Sequence, residues 1–481
     1  MPENSWPEND SFKTFDGTAI DSGGAAFVPL VDEEFNLEID PAFLQGVEGR
    51  RLKSALVWLL LFGVTYWLHQ SPWGSEITLG FAILLGLYCA RLYLGEARTK
   101  APAWLGELPR VSLMVAAKNE AAVIADLAHQ LCDLDYPADR YEVWMIDDAS
   151  SDRTPEILDA VRLKYPQLRV VHRLPGAGGG KSGALNQVLP QCMGEFLVVF
   201  DADAQIAPDF LQRSLGAFNN PKIGAVQLRK AVIQAEKLDH PDRNHFLIIG
   251  QRVEMALDAF MRQQQIACGG LGELRGNGQI MRRSALEQCG GWNEETVTDD
   301  LDLTLRLHLN HWDIDCLSEP AVYEEGVTQP VALWHQRGRW AEGGFQRYLD
   351  YWRLIGQNRL GTVKTLDLVV FIIMQYLMPM LGLTDLVVAI ARRDWPIFMP
   401  LTFLSFGLFG FCAVRGLRRP ALARGETLDW RSGWLVPGWQ ALIGTLYMTH
   451  WLPVMSLTTL RMAIRPKRLK WVKTARAGDG V

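Results

Sequence analysis

Acidic residues recur where a sheet would bring them together. Asp147-Asp148 follows the apolar run YEVWMI, and Asp201-Ala202-Asp203 follows FLVVF. Two carboxylates around one turn offer hard oxygen ligands, which Mg2+ or Mn2+ takes alongside substrate phosphates. Acids often end strands without chemical purpose, so a lone D-x-D says little; the second acidic pair strengthens it. A third group, Asp299, Asp300 and Asp302 behind Thr298, opens the periodic stretch 297–308. Capping by Thr298 and the helix dipole explain one or two of these acids. The functional alternative is a general base that removes a proton from an acceptor hydroxyl. In HQRGRW (335–340), Gln336, Arg339 and Trp340 offer either an amphipathic turn beside a membrane or a cationic, aromatic wall for a diphosphate and an acceptor.

GAGGGKSGALN (176–186) imitates a phosphate-binding P-loop, with FLVVFDAD (196–203) in the place of the magnesium-holding strand. Spacing rejects that reading. The pattern G-x-x-x-x-G-K-[ST] needs a glycine where Pro175 stands. Proline neither adopts a positive φ nor donates a backbone N–H to phosphate. The glycines still let the chain pass close to a neighbouring group, and a helix is expected from about Ser182.

These residues need a scaffold. VSLMVAAKN (111–119), YEVWMIDDAS (141–150), RVVHR (169–173) and EFLVVFDADA (195–204) read as buried strands. Between them, 120–134 has helical periodicity through Val123, Leu127 and Leu131, and 154–165 starts with Pro155 near its N-terminus. Such alternation predicts an α/β domain with a parallel sheet covered on both faces. Ligands bind at the carboxyl ends of such strands, where Asn119, Asp147, Asp148, Asp201 and Asp203 all fall.

At 481 residues and 48% hydrophobic, with mean hydropathy near zero, the chain joins a soluble domain to membrane segments. Residues 1–50 carry eleven acids against Lys13 until Arg50 and predict a disordered extension. Segments 54–68 and 77–94 predict a transmembrane hairpin over 51–95 with basic residues, hence the cytoplasm, at both ends. The soluble domain spans 105–355. Three apolar segments follow within 362–460, at 368–390, 397–414 and 434–457; the positive-inside tendency favours two crossings, with the Pro- and Gly-interrupted last segment interfacial or re-entrant. The basic tail 461–481 suits an anionic lipid surface, at about 1 kcal/mol per basic residue, better than nucleic acid. Seven scattered cysteines without a CxxC pair argue against structural zinc or a disulfide framework.

The ordered set Asp147-Asp148, Asp201-x-Asp203, Thr298-Asp299-Asp300 and Gln336-x-x-Arg339-Trp340 resembles membrane-bound family 2 glycosyltransferases with a GT-A fold, over about residues 108–350. The resemblance implies that Asp147 and Asp148 lie near the nucleotide base, with Asn119 and Lys181 also at the nucleotide sugar. It implies that Asp201 and Asp203 hold the diphosphate and a Mg2+ or Mn2+ ion. Asp300 would be the base, with Asp299 where the family often has Glu, and Gln336, Arg339 and Trp340 would close over the diphosphate. MPENSWPENDS, AGAGGGKSGALNQVLP, GGWNEETVTDDLDLTLRLH, ALWHQRGRWAEGG and RPKRLKWVKT resemble, more narrowly, cyanobacterial members that glucosylate diacylglycerol. That implies UDP-glucose as donor, the sn-3 hydroxyl of diacylglycerol as acceptor, and a β-linked product made by inversion for galactolipid synthesis in plasma or thylakoid membranes. A processive polysaccharide synthase, a polyprenyl-phosphate glycosyltransferase and a non-catalytic membrane scaffold are the competing expectations.

Overall fold

The computed structural model describes residues 38–465 apart from Leu238. The expected strands form as β1 (Val111–Ala117), β2 (Tyr141–Asp147), β3 (Leu168–His172) and β4 (Phe196–Phe200), joined by the helices Ile124–Cys132, Thr154–Arg162 and Gly180–Val188. Three more, β5 (Ile223–Val232), β6 (Gln279–Arg282) and β7 (Asp313–Glu324), complete one seven-stranded sheet in the order β3-β2-β1-β4-β6-β5-β7. Leu113, Val143, Val198 and Phe200 have no exposed surface, as strands covered on both faces require. Ala117 pairs with Asp147, and Val115 with Phe200, so the carboxyl ends of β1, β2 and β4 meet at one edge.

The sheet is mixed, not wholly parallel as the sequence predicts. β6 runs antiparallel to both β4 and β5. An antiparallel neighbour needs no helical crossover, and four residues are too few to show a period. Gly278, at φ +75°, leads into this strand, and a Cβ there would lie 2.6 Å from Val322 Cγ2.

Among the described residues, four helices are long and apolar enough to cross a membrane: Arg50–Gln70, Gly74–Tyr93, Thr362–Arg392 and Met399–Arg424. The first two correspond to the expected hairpin. The third contains a π-turn, Ile373–Leu377. The segment 434–457 forms no single long helix; it is divided between a π-turn (Arg431–Leu435) and the helices Val436–Met448 and Trp451–Ile464.

Of the extension expected to be disordered, residues 1–37 lie outside the described residues, but 38–49 are part of the fold. Asp40 Oδ1 accepts from Ala42 N at 2.8 Å and caps the short helix Pro41–Leu44. Phe43 packs with Phe345 and Leu349. The surrounding acids mask this apolar anchor in the composition. Next to it, Arg50 Nε donates to Asp350 Oδ1 at 2.6 Å, tying the helix Arg50–Gln70 to the long helix Pro330–Gly356. The basic tail beyond Arg465 lies outside the described residues.

Candidate active site

The glycine stretch is a loop that only glycine accommodates easily. Gly176, Gly178, Gly179 and Gly180 have φ of +87°, +70°, +66° and +53°, a region where L side chains are strained. A Cβ on Gly179 would lie 2.2 Å from Glu294 Oε2. Arg173, just past β3, fastens the loop: Nη2 donates to the Gly178 carbonyl at 2.8 Å, and Nη1 to the Gly180 carbonyl at 3.2 Å and to Asp148. The helix begins at Gly180, two residues before Ser182, which puts Lys181 in its first turn.

Lys181 Nζ reaches across to Asp201, just beyond β4, and donates to Oδ1 at 2.6 Å. Burial opposes the charge on Lys181, yet Asp201, Asp299 and Asp300 outweigh it and hold the ammonium above the ordinary lysine range. The Asp201 backbone N–H is fixed by Asn277 Oδ1 at 3.1 Å.

Asp299 and Asp300 open the helix Asp299–Leu309. Thr298 occupies the N-cap position but makes no capping bond, and its buried hydroxyl has no partner among the described residues. Asp302 is structural: it binds Arg306 Nε at 2.7 Å and Tyr351 Oη at 2.9 Å. Burial, then the charge of Asp299, push the Asp300 carboxyl up to about 6, against the pull of the Leu301 N–H, Arg275 and Lys181. It therefore changes protonation close to neutral pH, where a general base is effective. Gly276, at φ +83°, keeps the space beside it open; a Cβ there would lie 3.6 Å from Asp300 Oδ2.

Arg339 and Trp340 belong to Pro330–Gly356. Burial lowers the Arg339 pKa, and Asp201 partly restores it. Trp340 rests on the buried Arg337, whose guanidinium carbon is 4.0 Å from the ring centre, with Lys230 Nζ at 5.1 Å. Gln336 Oε1 accepts from Arg337 Nη1 at 2.8 Å. Glu254 and the Tyr447 hydroxyl hold Arg337 from the other side.

One cavity of about 610 Å³ gathers Lys181, Asp201, Asp299, Asp300, Arg339 and Trp340 on its wall. The same wall continues between three membrane-length helices, through Leu85, Met374, Met378, Phe406, Phe409 and Cys412. Asn119, Asp147, Asp148, Asp203 and Gln336 are not on it. Asn119 Oδ1 accepts from Ser151 N at 2.7 Å, Asp147 accepts from Ser150 N at 3.1 Å, and Asp148 anchors Arg173. Asp203 is half-buried in the turn after β4.

Sequence reasoning missed the cationic cluster below Asp300. Glu273 is fully buried among Arg262, Arg275 and Arg347, at 2.9, 2.8 and 2.8 Å. Burial opposes its ionisation, but the three guanidiniums hold it down to about 2. Charged residues inside the glycine-rich run LGELRGNG (271–278) were the available signal; Arg262 and Arg347 gave none.

No three His, Cys, Asp or Glu side chains gather into a metal cage among the described residues. Asp201 and Asp203 provide two hard carboxylates on one turn. That donor set fits a divalent ion sharing its shell with substrate phosphates, and does not fit an all-protein site.

Comparison with known proteins identifies the family. A family profile described as "Glycosyltransferase like family 2" matches residues 109–343. The beta-monoglucosyldiacylglycerol synthase of Trichormus variabilis is 49% identical over 481 residues, covering 100% of both chains. The protein of the same name from Synechocystis is 47% identical, over 98% of this chain and 97% of its own. Among solved structures, a mannosyltransferase from Pyrobaculum calidifontis in complex with GDP-Man and Mn2+ matches with a TM-score of 0.48 and 19% identity, over 84% of this chain and 99% of that one. A GT-A sheet, acids clustered at its strand ends and near-half identity along the whole length make one assignment: the chain belongs to family 2 of the glycosyltransferases and is an inverting enzyme.

Proposed function

We propose that the enzyme transfers glucose from UDP-glucose to the sn-3 hydroxyl of 1,2-diacylglycerol, giving β-monoglucosyldiacylglycerol for galactolipid synthesis. One observation carries this reading: the cavity that holds Lys181, Asp201 and Asp300 continues into an apolar wall of membrane-length helices. A soluble acceptor would need no such extension, whereas an acceptor with one hydroxyl and two acyl chains matches both halves. The names of the full-length relatives support the same substrates.

Asp300 takes the proton of the acceptor hydroxyl as the oxygen attacks the anomeric carbon opposite the departing UDP, which inverts that centre. Lys181 and Arg339 present positive charge to the diphosphate, where negative charge grows in the transition state. Asp201 and Asp203 would hold Mg2+, or Mn2+, which when bound neutralises phosphate charge. Asn119, Asp147 and Asp148, at the neighbouring strand ends, frame the uridine end, and Gln336 and Trp340 cover the acceptor side. The enzyme is read as a multi-pass protein of the cyanobacterial plasma or thylakoid membrane. Its catalytic domain is cytoplasmic, because Arg50, Arg51 and Lys53 lie in the first turn of the first hairpin helix and Arg91 in the last turn of the second. Anionic lipids would bind the basic tail.

The test is turnover of radiolabelled UDP-glucose by the full chain in mixed micelles, with product separated into lipid and polymer. Label in a single-sugar, alkali-labile diacyl lipid is the expected outcome. Label in polymer, or in a polyprenyl-linked sugar, refutes the proposal.

A further inference from the structure

The membrane side of the cavity is not uniformly apolar. Gln375, Thr402 and Ser405 share its wall with Met374, Met378 and Phe409. Polar groups inside a membrane bundle are costly unless they are bonded, and they tend to mark function. Thr402 satisfies itself locally by donating to the Phe398 carbonyl at 3.0 Å, as helix hydroxyls commonly do. Ser405 does not: its buried Oγ has no partner among the described residues. Gln375 sits in the π-turn Ile373–Leu377, a local widening that shifts which side chains face a given side of the helix. Its side-chain amide also has no partner among the described residues.

Two free donors in an apolar chamber call for a ligand that brings acceptors and little else. We propose that this part of the cavity seats the glycerol backbone and first methylenes of the lipid acceptor, with Gln375 Nε2 and Ser405 Oγ donating to its two ester carbonyls. The proposal rests on the diacylglycerol reading above and adds the feature by which the lipid is recognised. A diacylglycerol presents one hydroxyl, two carbonyls that only accept, and two flexible chains. The cavity presents a carboxylate base, two free donors, and a wall rich in methionine, whose side chains adapt to irregular apolar shapes. A polyprenyl chain would leave both donors unsatisfied, which disfavours it.

The experiment compares kcat/KM for a 1,2-diacylglycerol and the 1,2-dialkylglycerol ether of equal chain length, using the full chain in mixed micelles. The wild type is expected to prefer the ester. Gln375→Leu and Ser405→Ala are each expected to lower the ester-to-ether ratio about three- to tenfold, the worth of one hydrogen bond. A retained rise in melting temperature with UDP identifies a folded variant; Gln375→Met and Ser405→Gly replace any that lacks it. A wild-type ratio of one, or an unchanged ratio in folded variants of both residues, overturns the inference while diacylglycerol turnover continues. A wild type that glucosylates neither lipid overturns the functional reading instead.

Discussion

Glu273 and Asp300 line the same cavity, one just ahead of β6 and the other in the first turn of Asp299–Leu309. Burial opposes ionisation of both, yet Glu273 is held down to about 2 and Asp300 is pushed up to about 6. Their neighbours make the difference. Glu273 faces three guanidiniums, whereas Asp300 sits beside another carboxylate with cations at longer range. Glu273 is thus a permanent anion that braces three elements, and Asp300 is an acid poised to exchange a proton. An acid on a cavity wall is therefore no sign of a base; the charge beside it decides.

The sharpest break of this contrast is Asp300→Asn, which keeps the shape and removes the base. It should lower kcat about 10²- to 10⁴-fold with little change in UDP-glucose KM; near wild-type turnover in micelles would refute the assignment. Glu273→Gln should act on stability instead, because it leaves buried guanidiniums uncompensated, at a cost of about 3–5 kcal/mol. In the wild type this contribution is present above the ordinary carboxyl value of 4.5 and is lost as pH falls through about 2. Thermal melting of both proteins at neutral and acid pH measures it. Lys181→Ala should raise UDP-glucose KM about ten- to hundredfold, the scale of a charge-assisted bond, and steady-state kinetics that leave KM in place would remove Lys181 from the donor site. The smallest effect tests the contrast most directly. With Asp300 as the proposed base, only its ionised form is active, and kcat/KM should rise with pH through about 6. Asp299→Asn removes the neighbouring negative charge and should move that acid limb to lower pH, as a pH–rate profile would reveal.

Much of the site is readable in the chain because it stands at strand ends and helix starts. The runs before Asp147 and Asp201 are so continuously apolar that β2 and β4 admit one reading, and parallel packing then sends their acids to one edge. Lys181 was legible through its glycines, whose left-handed backbone explains the run. Less legible are groups that converge from distant segments without a local pattern. Arg262, Arg275 and Arg347 meet Glu273 from two long helices and a loop, and no spacing records it. β6 escaped because antiparallel pairing leaves no strand–helix alternation to detect. Asp147 and Asp148 show the converse: the pattern marks them plainly, but their contacts include fastening a turn and, through Arg173, the glycine loop.

The cavity with a charged end and a hydrocarbon-like end also carries a kinetic consequence. On the proposed reading, donor and lipid are drawn from different phases, water and bilayer, and occupy different parts of the cavity wall. Neither then has to vacate space for the other, so steric overlap imposes no sequence of addition. A hydrophobic blocker lodged between Met374 and Phe409 would then depress the maximal rate while leaving the half-saturating concentration of the sugar nucleotide in place.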